Sequence, residues 1–320
     1  VIMKLLGVDT SSLKPQFDVS VQGRTLIMDA DAACYKAVST AKTLDTAIRR
    51  WVKAVMEAMF LANCTDVRVH LTSRKSLKAN RDWYPTVKPY QGNRAGKPKP
   101  PLLESLRNGI AHHASLEDGI IPLNWPIMLH DYWEADDGIV MDSGHYKDRG
   151  VVWSEDKDLC LSPGPLYDIY TGRTDFIDNR FGWISEAFTE GGSLKAKGHG
   201  TKFFWWQMLA GDEADNVKGI TKLNGKLCGK RSALDLLIPI QDESEACNQI
   251  LWAYARAGQQ FLPEAEVLWL RRHPEDSAYE YIKSLDLDAG LRLWLEEQHK
   301  YHQEIFKIKT QEASIAKEID

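Results

Sequence analysis

The sequence predicts an α/β fold: a mostly parallel central sheet flanked by helices, followed by a helical C-terminal region. Three observations predict it. Short apolar runs such as Thr25-Leu26-Ile27-Met28 stop at an acid, here Asp29. Parallel strands covered on both faces read as continuous apolar runs of this kind. The order strand, helix, strand between residues 25 and 71 is that of a βαβ unit. Beyond residue 202 the apolar spacing becomes mainly helical, with glycine-rich turns between the helices.

Residues 1 to 23 show weak periodicity and read as an irregular lead-in. Thr25 to Asp29 is the first strand, and Asp29 also suits a helix cap after a strand. Leu44, Ile48, Trp51, Val52, Val55 and Met59 recur at helical spacing behind Thr43, a capping residue. Asp66 to Leu71 alternates and reads as a second strand. Residues 102 to 114 read as a helix, and Pro126 to Leu129 as a short strand. Glu134-Ala135-Asp136-Asp137 opens a helix on which Glu134 and Asp137 share a face. Val151 to Trp153 is another strand, Tyr167 to Tyr170 an edge strand, and Lys202 to Ala210 an apolar helix. Gly191-Gly192 and Gly198-His199-Gly200 mark loops. Residues 244 to 320 are mostly helical, with Leu291, Trp294 and Leu295 on one face.

Composition bounds the reading. The chain has 320 residues, 43% of them hydrophobic and 27% charged, with a formal net charge of -5, which is ordinary for a globular protein. Whole-chain charge therefore does not announce nucleic-acid binding, and the distribution of charge carries the information. Five cysteines, none in Cys-x-x-Cys spacing, argue against a disulfide framework or zinc site and suit a reducing cytoplasm. No apolar run is long enough to cross a bilayer, so no membrane is expected.

Charge concentrates in two ways. Arg74, Lys75, Lys78, Arg81, Lys88, Arg94, Lys97 and Lys99 crowd one proline-broken segment with Trp83, Tyr84 and Tyr90 among them. Cations can track phosphates while rings stack on bases, although a charge run alone is most often a solvated loop. The acids gather in Glu134-Ala135-Asp136-Asp137, in Glu155-Asp156-Lys157-Asp158 and in Gly211-Asp212-Glu213-Ala214-Asp215-Asn216. Asp212 and Asp215, three apart, can share a helical face. Asp29, the Glu134 group and Asp156 with Asp158 each follow a predicted strand, where open α/β sheets form sites. Oxygen ligands without histidine or cysteine suit Mg²⁺ or Mn²⁺. Two such ions about 4 Å apart stabilise both the attacking and the leaving oxygen of a phosphodiester. Gly225-Lys226 and Gly229-Lys230-Arg231, leading into a helix, can offer backbone amides to a phosphate.

Five motifs together resemble the phage and bacterial 5′→3′ exonuclease/flap endonuclease family over most of residues 24 to 240. They are Leu26 to Asp29, Pro89-Tyr90-Gln91-Gly92-Asn93-Arg94, Glu134 to Asp137, Asp156 to Leu159, and Gly211 to Asn216 with the glycines after it. The resemblance implies a PIN-like nuclease core over residues 1–190, with a basic arch at about 81–115 through which a 5′ single strand passes. It implies a helical region over 191–320, with a duplex-binding helix-three-turn-helix segment at about 202–240. Asp29, Glu134, Asp136, Asp137, Asp156, Asp158, Asp212 and Asp215 match the family's metal-site acids, for two Mg²⁺ or Mn²⁺ ions, and the duplex-binding element also holds K⁺. Lys88 and Arg94 take catalytic positions. Arg81, Tyr90, Asn93, Lys97, Lys218, Gly219, Gly225, Lys226, Gly229, Lys230 and Arg231 fall among the nucleic-acid contacts.

The implied activity is a monomeric, metal-dependent 5′→3′ exonuclease with flap-cutting ability. Its substrates are DNA with 5′ single-stranded ends or flaps, and RNA paired to DNA. A chain without an attached polymerase suits phage replication or recombination. Three departures stand out. Leu71-Thr72-Ser73 stands where the family has an acid after the second strand, Gln91 replaces a lysine, and Lys222 to Cys228 looks inserted. A PIN-type ribonuclease and a structure-specific DNA-binding protein that has lost catalysis are the alternatives. The first lacks the duplex-gripping glycine segment, and the second gains nothing from acids that repel phosphates.

Overall fold

In a computed structural model of the chain, residues 4–5, 8–9, 23–113, 121–122, 124–161, 164–168, 173–175 and 179–319 are described. The expected lead-in lies mostly outside them, as do Ala114, Ile169 and Tyr170 at the ends of two expected elements. The chain forms two compact units. The first comprises residues 1–79, 97–178 and 270–272, and the second residues 80–96, 179–269 and 273–320. One division falls at 178/179, and residues 80–96 of the basic segment belong to the second unit.

The first unit is built on a six-stranded sheet. Its elements are β1 (Lys4–Leu5), β2 (Val8–Asp9), β3 (Thr25–Asp29), α1 (Ala30–Val38), α2 (Leu44–Leu61), β4 (Asp66–Thr72), α3 (Leu103–Ala111), β5 (Ile127–His130), α4 (Ala135–Tyr146), β6 (Gly150–Trp153), β7 (Leu166–Asp168) and β8 (Arg173–Asp175). The strand order is β5-β4-β3-β6-β7-β8; the first five run parallel and β8 pairs antiparallel at the edge, while β1 and β2 form a separate pair. Successive strands from β3 to β5 are laid outward on one side, and β6 and β7 on the other. The order therefore reverses between β3 and β6, the place where α/β sheets open a crevice beyond their carboxyl ends.

The core explains why these segments adopt these elements. Every residue of β3 and β6 is buried, as continuous apolar strands require. On α2, Ile48, Trp51, Val52 and Val55 form the buried stripe, and Thr43 caps the helix by accepting from the Thr46 amide. They pack with Leu103, Leu106 and Ile110 of α3 and with Leu26, Met28, Val67 and Val69 of the sheet.

The second unit contains β9 (Trp183–Phe188), β10 (Leu194–His199), α5 (Thr201–Ala210), β11 (Lys222–Leu223), β12 (Lys226–Leu227), α6 (Lys230–Leu237), α7 (Glu243–Arg256), α8 (Leu262–Leu268), α9 (Ala278–Lys283) and α10 (Ala289–Ile319). β9 and β10 form an antiparallel hairpin that turns around Gly191 and Gly192, where the sequence predicts a loop. α5 is buried from Thr201 to Leu209 and contacts α6, α7 and α8. A helix apolar on all sides belongs inside a unit. The stretch read as inserted is the β11/β12 hairpin, turning at Asn224 and Gly225, both with positive φ.

Candidate functional site: a carboxylate cluster at the sheet switch point

Each acid in the first unit is placed by backbone chemistry. Asp29 ends β3 and also caps α1, accepting from the Ala32 amide at 3.1 Å. Ser154, just beyond β6, donates its hydroxyl to the other Asp29 oxygen and accepts from the Asp156 amide at 2.9 Å. The Asp158 amide in turn donates to Asp156 at 2.9 Å. Ser154 thus ties the ends of the two strands flanking the switch point. Glu134 is the N-cap of α4, where the helix N-terminus favours an acid.

The electrostatics show that these groups crowd together. Burial first, and the Asp31 charge next, push Asp29 up from 3.8 to about 7, against the hydrogen bonds from Ser154 and Ala32. Burial raises Asp136 far above its ordinary value, followed by the charges of Asp156, Asp29, Glu134 and Asp31. Burial also raises Asp31, opposed by Arg107 and by hydrogen bonds from Thr72. Carboxylates held protonated by burial first and by one another's charge next favour a bound cation. The donor set is all oxygen, which fits Mg²⁺ or Mn²⁺. Among the described residues, no group of three or more Asp, Glu, His or Cys side chains is placed to hold a metal ion.

Sequence reasoning missed Asp31 as a member of the cluster. Asp31 accepts from the Thr72 amide at 3.2 Å and pairs with Arg107 at 2.7 Å. A carboxylate therefore stands against the end of β4, where Leu71-Thr72-Ser73 had suggested a gap, but it comes from α1. The spacing Asp29-Ala30-Asp31 was the available signal. Thr72 also accepts from the Ala135 amide at 2.8 Å and so helps seat α4.

Other expected residues are placed differently. Asp137 is fully buried; its two oxygens accept from the backbone amides of Glu134 at 3.2 Å and Arg271 at 3.0 Å. It completes a capping box with Glu134, which accounts for it as a structural group and not a metal ligand. Asp158 is buried and pairs with Lys157 at 2.9 Å. Asp212 and Asp215 belong to the second unit and are not on a helix. Asp212 and Val217 exchange backbone hydrogen bonds across a turn, at 2.9 and 2.7 Å. Gly211 and Gly219, both with positive φ, sit back to back there. A Cβ on Gly219 would lie 2.4 Å from the Gly211 nitrogen. The Asp212 side chain accepts from Gln207 at 2.9 Å and from the Ala214 amide.

Asp215 receives Arg94 at 2.7 Å and Gln91 at 2.9 Å. Asn93 donates to the Glu213 carbonyl at 2.6 Å, and Asn216 to the Pro89 carbonyl at 2.8 Å. Two motifs that read as separate in sequence therefore form one knot, in which Gln91 takes the place of the expected lysine. Tyr90 accepts from Gln91 at 3.0 Å. Lys88 and Lys97 are exposed. Arg81 is only 1% exposed and donates to the Trp269 carbonyl at 3.0 Å, so it is a core residue and not a phosphate contact. Lys218, Gly225, Lys226, Gly229, Lys230 and Arg231 are exposed, with Lys230 and Arg231 paired to Glu213 and Glu186; Gly219 is buried, its carbonyl accepting from Gln259 at 2.9 Å.

Fold and site together define the class: an α/β protein with a crowded carboxylate cluster at the switch point of a mainly parallel sheet. Among solved structures the chain is similar to the T5 D15 protein co-crystallised with metal ions, at 15% identity over 88% of this chain and 98% of that one, with a TM-score of 0.47. It is also similar to the T5 5′-exonuclease with bound divalent (zinc) ions, at 14% identity over 89% and 99% with a TM-score of 0.48. A third is a T5 D15 flap endonuclease complex with DNA and metal ions, at 15% identity over 88% and 98% with a TM-score of 0.46. No protein-family model matches the sequence, and no curated protein matches it.

Proposed function

We propose that the protein is a divalent-metal-dependent nuclease acting on DNA with 5′ single-stranded ends or flaps. The observation that carries this reading is the crowding of Asp29, Asp31, Glu134, Asp136 and Asp156 at the switch point, where burial and mutual repulsion raise Asp29 and Asp136. In this reading Asp29, Glu134, Asp136, Asp156 and Asp158 hold Mg²⁺ or Mn²⁺, and Asp31 completes the set in place of an acid after β4. A divalent cation held there supplies an activated water and offsets charge on the phosphate.

The chain's own groups do the rest. Ser154 holds Asp29 and the Asp156 loop in register. Asp137 fixes the first turn of α4, which carries Asp136. Asp215 and Asn216 hold the 89–94 loop, which supports Arg94 near the carboxylate that neutralises it, and Asp212 shapes the turn that carries them. The exposed Lys218, Lys226, Lys230 and Arg231 supply phosphate contacts to duplex DNA. The 5′→3′ polarity, action on RNA paired to DNA, a K⁺ ion beside the glycine turns, a monomeric state and a part in phage replication are proposals that follow from the sequence resemblance.

The test uses flap, nicked and blunt duplexes labelled at either the 5′ or the 3′ end, with Mg²⁺, with Mn²⁺ and with EDTA. The expected outcome is metal-dependent cutting that begins at the 5′ strand, lost in Asp156→Ala while DNA binding persists. No cutting of any substrate with either metal overturns the enzyme reading. Wild-type rates in Asp156→Ala overturn the assignment of the site.

A further inference from the structure

At the carboxyl end of β4, beside the acid cluster, the first unit opens a cleft of about 420 Å³. Its cationic wall is Arg74, Lys75 and Arg107, with His112 at the rim; its apolar wall includes Leu71, Ala111 and the exposed Leu129, and Asn108 adds an amide. Two residues join it to the acids. Thr72 lines the cleft and donates its amide to Asp31, and Arg107 lines it while pairing with Asp31 and donating to the Thr72 carbonyl.

We propose that this cleft binds the 5′-terminal nucleotide of a substrate strand, with its phosphate monoester against Arg74 and Lys75. The inference rests on the nuclease reading and deepens it by placing the strand end. Charge argues for the monoester. The two anions nearest the wall are already matched: Asp31 by Arg107, and Glu104 by Lys99 at 2.9 Å. The hydrogen bond from Lys99 holds the Glu104 carboxyl below its ordinary value against partial burial, and the charges of Lys99, Arg107 and Arg74 add to it. Arg74 and Lys75 are exposed and enter no ion pair among the described residues, so they leave about two positive charges over. A phosphate monoester carries about −1.5 to −2 at pH 7, whereas an internal diester carries one. Shape argues for a nucleotide over a bare anion. The volume lies within the range of about 300–1,000 Å³ that holds a single small ligand. An apolar wall with one amide suits a base face and its polar edge.

The test titrates thymidine 5′-monophosphate, thymidine and inorganic phosphate separately into the full chain by calorimetry, in EDTA so that nothing is cut. The monophosphate is expected to bind at least ten-fold tighter than either half. The double variant Arg74→Glu/Lys75→Glu is expected to weaken it at least ten-fold with an unchanged unfolding temperature. A second arm compares oligothymidylates bearing a 5′-phosphate or a 5′-hydroxyl, and the phosphorylated strand is expected to bind tighter only in the wild type. Phosphate binding as tightly as the nucleotide, an unchanged affinity in the double variant, or equal affinity for the two oligonucleotides overturns the proposal. No arm reads cleavage, so a chain that cuts nothing but binds the monophosphate overturns the nuclease reading alone.

Discussion

Asp136 and Asp137 are neighbours with opposite roles. Asp137 spends both oxygens on backbone amides in a fully buried position, whereas Asp136 faces four other carboxylates. Asp137→Ala would leave two buried amides without partners and is expected to cost about 2 kcal/mol or more of stability, read by denaturant unfolding. Asp136→Asn replaces a buried carboxyl that the metal-free fold must keep protonated, and is expected to raise the unfolding temperature of the metal-free protein while abolishing cleavage; a fall in that temperature would contradict the crowding. Both acids were visible in the sequence, but a shared helical face was the wrong reason for one of them. A capping box shows itself only when the amide partners are known, and Arg271 lies 134 residues away. His302 shows the same scale in the second unit. Burial first, and His299 next, push it down from 6.5 to about 4, and among the described residues neither ring nitrogen has a partner. The unfolded chain takes a proton below pH 6.5 that the folded chain refuses. Stability is therefore intact above pH 6.5 and is lost as pH falls from there to about 4, by about 3 kcal/mol near the lower end. Replacing His302 with Phe is expected to flatten that acid limb in unfolding curves measured between pH 7 and 4.5.

At the scale of elements, α4 carries the site and rests on a histidine network. His70 and His130 stack with nitrogens 3.0 Å apart, and His70 also meets Asp142 at 3.0 Å. Gly138 allows the helix to approach: a Cβ there would lie 2.3 Å from His130 and 2.7 Å from His70. Gly138→Ala is expected to destabilise the fold by about 1–3 kcal/mol and to lower cleavage through displacement of Glu134 and Asp136, read by thermal unfolding and activity together. The strands β3, β4 and β6 and the helix α2 were legible because apolar runs and a 3.6-residue period act locally. The β9/β10 hairpin was not, because few of its positions are buried and its strands alternate small, charged and apolar residues without a clear run. The Asp212–Val217 turn was misread as helical because two acids three apart fit a helix, while the back-to-back glycines that forbid it lie eight residues apart.

At the scale of the whole chain, each unit carries its own part of the chemistry. The first unit has the acids and the cleft; the second has a core around α5 and an exposed row of cations and glycine turns. The sequence disclosed the order of these parts but not their grouping. Residues 89–94 belong with 213–216 through hydrogen bonds between groups 120 to 127 positions apart, a separation that no local pattern encodes. If the exposed cations of the second unit contact phosphates, changing Lys218, Lys226, Lys230 and Arg231 to Ala is expected to weaken duplex binding and to flatten its salt dependence by about one counterion per lost contact, measured by anisotropy across a salt series. The claim on which the account turns is that the carboxylates of the first unit hold a divalent cation. Calorimetric titration of Mn²⁺ into the DNA-free protein tests it directly: the wild type is expected to bind Mn²⁺, and Asp136→Asn and Asp156→Ala to lose at least ten-fold in affinity. A wild type that binds no Mn²⁺, or variants that bind it as the wild type does, would contradict the account.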